Sequence, residues 1–380
     1  MTRFAFFAAA ALVSLGAPLH SRPPKPYRPP LLRLGLYVET SAVNLGPGVF
    51  TVAGKAPRKK VNWKKSARLQ IAGAGFIINK ARWGKKVRLT PVPSGGAILI
   101  NGRPYRGAIE VERTGPAFRV VNIVSVEDYV RGVLQMETSS RWPEQALKAQ
   151  SVISRTYALR NRGRHRSDGF DLCPTPHCQA YGGGRAERPV TDAIVRATRG
   201  EVLVDRRRRL INTVYHSCCG GSTESAENVW EQGGQSYLKP VSCHWCRGTP
   251  HYTWVARVSN ELVTQRLEKG GRDVGNVRVI GILSHTPSGR VYRVRVFGDR
   301  GQVDLKADTF RNLIDPRLIR SSFWSAVSRR GGEWQIHGRG WGHGVGLCQW
   351  GMQALAEKSM SYGQILNYYY RGVSVGDWRE

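Results

Sequence analysis

Acidic residues are what this 380-residue chain most lacks: 27 Asp and Glu stand against 58 Lys and Arg, a formal net charge of +31. Such an imbalance favours a polyanionic partner, whether nucleic acid, anionic lipid or an acidic cell-wall polymer. The excess is spread in small clusters such as Arg58-Lys59-Lys60, Lys64-Lys65 and Arg206 to Arg209, each of which also reads as a solvated basic surface. Long helical periods are missing between Leu31 and about Arg119, which excludes a helical bundle there, and no tandem repeat runs through the chain. The long apolar run is confined to the N-terminus, from Phe4 to Leu15, and is short for a membrane span. With Arg3 before it and Gly16-Ala17 after it, the run has a signal peptide's layout. Leu15 is an imperfect residue two places before a cleavage at Ala17, so an uncleaved anchor stays open. No cysteine follows the run, which argues against a lipoprotein. Residues 1–20 are therefore expected to be a signal peptide or anchor, and residues 21–30 a proline-rich tether. Export to the cell envelope argues against nucleic acid as the physiological partner.

What is present reads as α+β. Forty-three glycines and twenty prolines suit turns and short strands. Stretches such as "GVFTVAG", "ARLQIAG", "VRLTPV", "AILING" and "GAIEVER" predict a β-rich region over 31–118. A mixed core with short helices is expected over 119–250. There Ser125 and Asp128 have capping-box spacing before "VEDYVRGVLQM", and Pro143 suits the first turn of a second helix. Ala146, Leu147, Gln150, Ser154 and Ala158 fall near one face of that helix. "DAIVRATRG" predicts another short helix, and "EVLV" and "LINTVYHS" predict strands. A β-rich insertion or second domain is expected over 251–330, around a helix at "SNELVTQRLEKGG". Over 331–380 a glycine-rich motif and two helices, "CQWGMQALAEK" and "SYGQILNYYY", complete the core.

Four groups of residues can do chemistry. Glu137 falls at an elbow between two helices, beside Met136, where desolvation raises a carboxyl pKa as a general acid requires; a surface glutamate is the plain alternative. His165, Cys173, His177 and Cys178 form a zinc-type ligand set in which a Cys173–Cys178 disulfide is equally compatible, with Asp171 in reserve. Cys218 or Cys219 can pair with Cys243 or Cys246 in disulfides, as an exported protein favours, or those four can bind a second metal; seven cysteines leave at least one over. A Ser217-His216 nucleophile has no evident orienting acid. The fourth group is "HGRGWGHGVGLCQWGM", His337 to Met352. It lacks the Gly-Lys-Ser/Thr ending of a phosphate loop, and its glycines are better read as backbone clearance and positive-φ positions leading into a helix near Cys348.

"VEDYVRGVLQMETSSRWPEQALKAQSVISRTYAL" together with "GRGWGHGVGLCQWGM" resembles the sporulation stage II protein D (SpoIID/LytB) family of peptidoglycan lytic transglycosylases. "FDLCPTPHCQAYGG", "YHSCCGGSTES", "YLKPV", "SGRVYRVRV" and "LIRSSFW" extend the resemblance over roughly residues 31 to 373. The resemblance implies a catalytic acid/base at Glu137 and a structural zinc on His165, Cys173, His177 and Cys178. It also implies a glycan groove lined or supported by Gln150, Arg155, Gln179, Tyr181, Tyr215, His343 and Gln349. Cys348 stands where relatives often have serine. The implied reaction cleaves the MurNAc-GlcNAc β-1,4 bond and closes a 1,6-anhydro ring, which needs one acid/base where hydrolysis normally uses two carboxylates. Trp142 and Trp341 can pack on sugar faces or in the core. The implied partners are peptidoglycan strands and a cell-wall amidase or the division and sporulation machinery, with a non-catalytic amidase modifier as the rival reading.

Overall fold

Alternating apolar residues between Leu31 and Ser125 are what twelve short strands need to cover one shared core. The strands make two six-stranded antiparallel sheets. One has the order Leu31–Thr40, Ala117–Ser125, Ala108–Thr114, Lys86–Pro91, Gly48–Ala53 and Lys59–Trp63; the other runs Arg103–Arg106, Ala97–Ile100, Ala42–Leu45, Ala67–Ala72, Gly75–Ile78 and Ala81–Trp83. Leu34, Val52, Leu89 and Val111 of the first face Leu45, Leu69 and Ile98 of the second in one buried cluster. The computed structural model describes residues 27–54, 59–230 and 234–378. The expected signal peptide or anchor and most of the tether lie outside the described residues. The mixed architecture is the expected α+β, with the strands concentrated at the N-terminal side.

The strand Ala117–Ser125 runs straight into helix α1, Val126–Glu137. Ser125 Oγ accepts the Asp128 amide (3.1 Å) and donates to the Asp128 carboxylate (2.8 Å), so the expected cap forms. Thr138 leaves the helix with an extended backbone while its amide and hydroxyl both donate to Leu134 O. Helix α2, Glu144–Arg160, starts one residue later than expected, because Pro143 is its N-cap. Pro143 has ψ of 145°, and its carbonyl accepts the Ala146 and Leu147 amides.

One face of α2 was expected to pack; nearly the whole helix is buried, from Ala146 to Leu159 with Lys148 the exception. It is surrounded by α1, by α3 (Pro189–Ala197), by the strand Glu201–Val204 and by the C-terminal helices. Polar residues tolerate this because they are paired: Gln150 Nε2 donates to Ser154 Oγ (3.1 Å) and Thr156 Oγ1 to Val152 O (2.7 Å).

The strand expected at "LINTVYHS" shrinks to Tyr215–His216, paired parallel with Leu347–Cys348. Upstream, partners outside a sheet take over the backbone groups: Tyr237 Oη accepts the Asn212 amide, and Tyr370 Oη donates to Val214 O. After the single turn α4, Ala226–Val229, comes a third lobe. There α5 (Asn260–Lys269) and α6 (Ala307–Ile314) pack with two three-stranded sheets around Leu267, Val294, Phe310 and Trp334. Its hairpin Trp324–Arg330 and Glu333–Arg339 delivers the chain into the glycine-rich stretch. Helices α7 (Gln349–Glu357) and α8 (Tyr362–Tyr369) then pack back on α2, α8 opened by a full capping box at Ser361 and Gln364.

Candidate active site and metal clusters

Glu137 is the last residue of α1, half-buried where the helix ends and the chain turns towards α2. Burial raises its carboxyl pKa; the Ala180 amide, the Tyr215 hydroxyl and the Gln349 side chain oppose this by favouring the ionised form. The Ala180 N–H donates to Oε1 at 2.8 Å. Tyr215 is itself oriented by a relay, since Tyr129 Oη donates to Gln179 Oε1 (3.1 Å) and Gln179 Nε2 donates to Tyr215 Oη (3.0 Å). Gln349 Nε2 donates to the Glu137 carbonyl (3.1 Å) and faces Gln150 Oε1 (3.4 Å). A carboxyl with a raised pKa and fixed donors is poised both to give up a proton and to take one back.

Five of the seven residues expected at the groove thus converge on Glu137: Tyr215 and Gln349 directly, Gln150 and Gln179 through them, and His343 through Tyr215. Gln150, Gln179 and Gln349 are buried, so they support the carboxylate rather than line an open surface. His343 Nε2 lies 3.0 Å from Tyr215 O, and its Nδ1 accepts the Val345 amide (3.0 Å). That pattern fixes a neutral ring, and burial, with Arg311 next, pushes its pKa down to about 3. Two residues do not join the site. Arg155 is fully buried and bidentate to Glu127 (3.0 and 2.8 Å), with Nη1 on Glu201 O. A guanidinium locked between α1, α2 and the strand Glu201–Val204 is a packing device and not a substrate contact. Tyr181 stacks on Tyr129 and donates to Asn122 Oδ1 (3.0 Å), facing the β-rich region. The Ser217-His216 pairing is also absent: His216 Nδ1 bonds Val345 O at 3.1 Å, and its buried Nε2 bonds no side chain.

The glycine-rich stretch lies beside this elbow. Gly340, Gly342, Gly344 and Gly346 alternate at φ of 75°, 109°, 84° and 73°, a conformation that favours glycine. A Cβ on Gly346 would also run into the Val214 carbonyl oxygen, so the close approach beside Tyr215 requires glycine. Aromatic rings gather nearby: Trp142 on Trp350 (5.4 Å), His251 on Trp341 (4.7 Å), and Trp230 on His343 (4.9 Å). Trp230, 38% exposed, and the Ala180 amide were not singled out from the sequence. A backbone donor leaves no mark in a sequence, and Trp230 follows α4 with no motif around it.

The first sulfur cluster assembles as expected. His165, Cys173, His177 and Cys178 bring one ligand atom each to within 4.8 Å of one another. Cys178 Sγ is 3.5 Å from His165 Nε2, and Cys173 Sγ is 3.5 Å from His177 Nδ1. On the far side of its ring, His165 Nδ1 meets Asp168 Oδ2 at 2.9 Å, the carboxylate support that metal-binding histidines favour. This set fits a metal ion and could hold one. Asp171 is instead engaged by the Arg33 amide (2.9 Å). All seven cysteines are free thiols, so neither the Cys173–Cys178 alternative nor the disulfides expected between the Cys218-Cys219 and Cys243/Cys246 sets are present. The second cluster differs in membership too: Cys219, Cys243 and Cys246 gather with Cys348, and Cys218 stands outside the four. Cys348 comes from a segment more than a hundred residues distant, which spacing could not reveal.

The profile of the Stage II sporulation protein (SpoIID) family matches residues 114–204, the part that holds Glu137 and the first cluster. A profile described as a domain of unknown function (DUF8618) matches residues 245–346. An uncharacterized protein of Brachyspira hyodysenteriae is 30% identical over 339 residues, covering 87% of this chain and 90% of its own length. Stage II sporulation protein D of Bacillus subtilis is 28% identical over 305 residues, 76% of this chain and 84% of that protein. The amidase enhancer of Bacillus subtilis is 25% identical over 349 residues, 78% of this chain and 48% of the enhancer. Because the family's profile falls on the stretch that builds the elbow, and the likeness to its namesake runs far beyond that stretch, the chain belongs to the SpoIID family.

Proposed function

We propose that this protein is an exported peptidoglycan lytic transglycosylase in which Glu137 is the single acid/base. The observation that carries the reading is a carboxyl raised by burial yet held by the Ala180 amide, Tyr215 and Gln349. Protonated Glu137 gives its proton to the glycosidic oxygen between MurNAc and GlcNAc as that bond breaks. The resulting carboxylate takes the proton of the MurNAc 6-hydroxyl as its oxygen attacks C1, closing a 1,6-anhydro ring and restoring the acid. No water is consumed, so this step calls for no second carboxylate. A two-carboxylate hydrolase would need one to activate water.

Trp230 offers an exposed ring for a sugar face, and the basic surface suits lactyl and peptide carboxylates. Zinc is the ion proposed for His165, Cys173, His177 and Cys178, where it would supply structure. Its ligand Cys178 is two residues from Ala180, so the cluster holds the loop that presents the Ala180 amide. The likeness to proteins named for sporulation and for amidase enhancement ties the chain to the cell wall and makes a cell-wall amidase its proposed protein partner. The test is mass spectrometry of products from defined glycan strands. Wild type should yield 1,6-anhydro ends and Glu137→Gln none; equal yields would remove Glu137 from the reaction, and reducing ends would mean hydrolysis.

A further inference from the structure

We infer that Cys219, Cys243, Cys246 and Cys348 form a second metal site, a buried mononuclear tetrathiolate of the zinc class. The four Sγ atoms lie within 4.8 Å of one another, and Cys219 Sγ is 3.4 Å from Cys246 Sγ. Zinc–sulfur bonds of about 2.3 Å place the corners of a tetrahedron about 3.8 Å apart. One ion at the centre therefore needs only small adjustments. An iron–sulfur cube would need a wider frame, because each thiolate then binds a different corner iron.

The surroundings suit thiolates. Cys348 Sγ accepts two amides, from Cys219 (3.2 Å) and Gly351 (3.3 Å), and Cys219 Sγ accepts the Gly221 amide (3.4 Å). Neutral thiols are weak acceptors, so amides aimed at sulfur mark a place for its anion. Cys348 is also the N-cap of α7, where the helix dipole favours negative charge. Tyr369 Oη lies 3.2 Å from Cys243 Sγ, positioned to donate. One zinc with four thiolates carries net negative charge, and a buried cation stands beside it: Arg290 is 1% exposed and its Nη2 donates to Cys219 O at 2.6 Å. Gly351 leaves the space, since a Cβ there would sit 2.8 Å from Cys243 Sγ and 3.4 Å from Cys348 Sγ. Cys218 touches the edge of the tetrad, its thiol meeting those of Cys246 and Cys348, but it is not one of the four whose sulfurs all lie within 4.8 Å of one another, and its backbone is held by pairing with Trp341.

The site joins the loop after Tyr215–His216, the turn before the third lobe and the start of α7. Its ligand Cys348 immediately precedes Gln349, so the metal fixes the residue that bonds the Glu137 carbonyl. Metal content does not depend on the reaction proposed for Glu137 and is measured without it. Metal is counted per chain in the purified full-length protein. Cys246→Ser and Cys348→Ser should each hold one ion fewer than wild type, and Cys218→Ser the same number. In case those variants fail to fold, cobalt(II) is exchanged into Cys173→Ser, in which the first cluster is impaired. The intense thiolate-to-cobalt absorption of a four-sulfur site is expected there, with each of the four cysteines alkylated by iodoacetamide once the chain is denatured without reductant. Unchanged metal content in folded Cys246→Ser, a Cys173→Ser chain without that absorption, or cysteines blocked in disulfides would each overturn the assignment.

Discussion

The two sulfur clusters are built on opposite plans. The first takes its ligands from fourteen consecutive residues on a partly exposed loop, with His177 open to solvent. The second is wholly buried and gathers its ligands from three segments. Yet each ends next to a partner of Glu137: Cys178 lies two residues from Ala180, and Cys348 one residue from Gln349. The difference teaches that a site can be braced once by a local loop and once by distant chain. The cost of closing the two differs accordingly. Cys219 and Cys348 are 129 positions apart, against 13 for His165 and Cys178. On loop-closure entropy alone the interior cluster organises its segments against about 2 kcal/mol more.

If both clusters serve Glu137, removing the carboxyl should outweigh removing either brace. Glu137→Gln is expected to lower turnover on defined glycan strands by roughly 10²- to 10⁴-fold. The same substitution should raise Tm at neutral pH. The folded pKa is above the unfolded one, so the native state holds the extra proton and stability falls as pH rises through that window; Gln removes the loss. A Tm that drops instead would mean the ionised carboxylate stabilises the elbow.

The next largest effect separates the clusters. Cys348→Ser should lower Tm more than Cys173→Ser in differential scanning calorimetry, because it releases buried, distant segments. Equal losses would erase the contrast. Both variants should still lose activity on glycan, since each frees one partner of Glu137.

A smaller effect tests the relay from Tyr129 to Tyr215. Tyr215 favours the ionised form of Glu137, so Tyr215→Phe should raise the carboxyl pKa further. The alkaline limb of the pH–rate profile, which reports loss of the acid, should move to higher pH. An unmoved limb would detach Tyr215 from the carboxylate.

The smallest effect concerns the glycine-rich side. His343 has its pKa pushed from 6.5 to about 3, so the unfolded chain binds the extra proton between those values. Stability is then present above about pH 6.5 and lost as pH falls towards 3. The Tm difference between pH 7 and pH 5 should shrink in His343→Gln. An unchanged difference would place that acid sensitivity elsewhere.

The cap at Ser125, the N-terminal strands and the helices after Asn260, Cys348 and Ser361 were legible because period, capping residues and turn glycines act over a few neighbours. The first cluster was legible for the same reason, its four ligands being close in sequence. Glu137 stood out through its place at an elbow and through family resemblance, but its donors did not: a backbone amide at Ala180 has no side chain to read. Arg155 was misplaced because a guanidinium suits a glycan or a buried carboxylate equally, and only packing brought Glu127 to it. "LINTVYHS" kept a strand's composition, but the glycine-rich segment beside it left only two residues to pair. Cys348 joins Cys219, Cys243 and Cys246 because the fold brings its distant segment to them. The sequence by itself determined most of the elements and the local ligand set, because those depend on neighbours along the chain. The support of Glu137 and the interior tetrad were decided by tertiary structure, which alone sets what meets across more than a hundred residues.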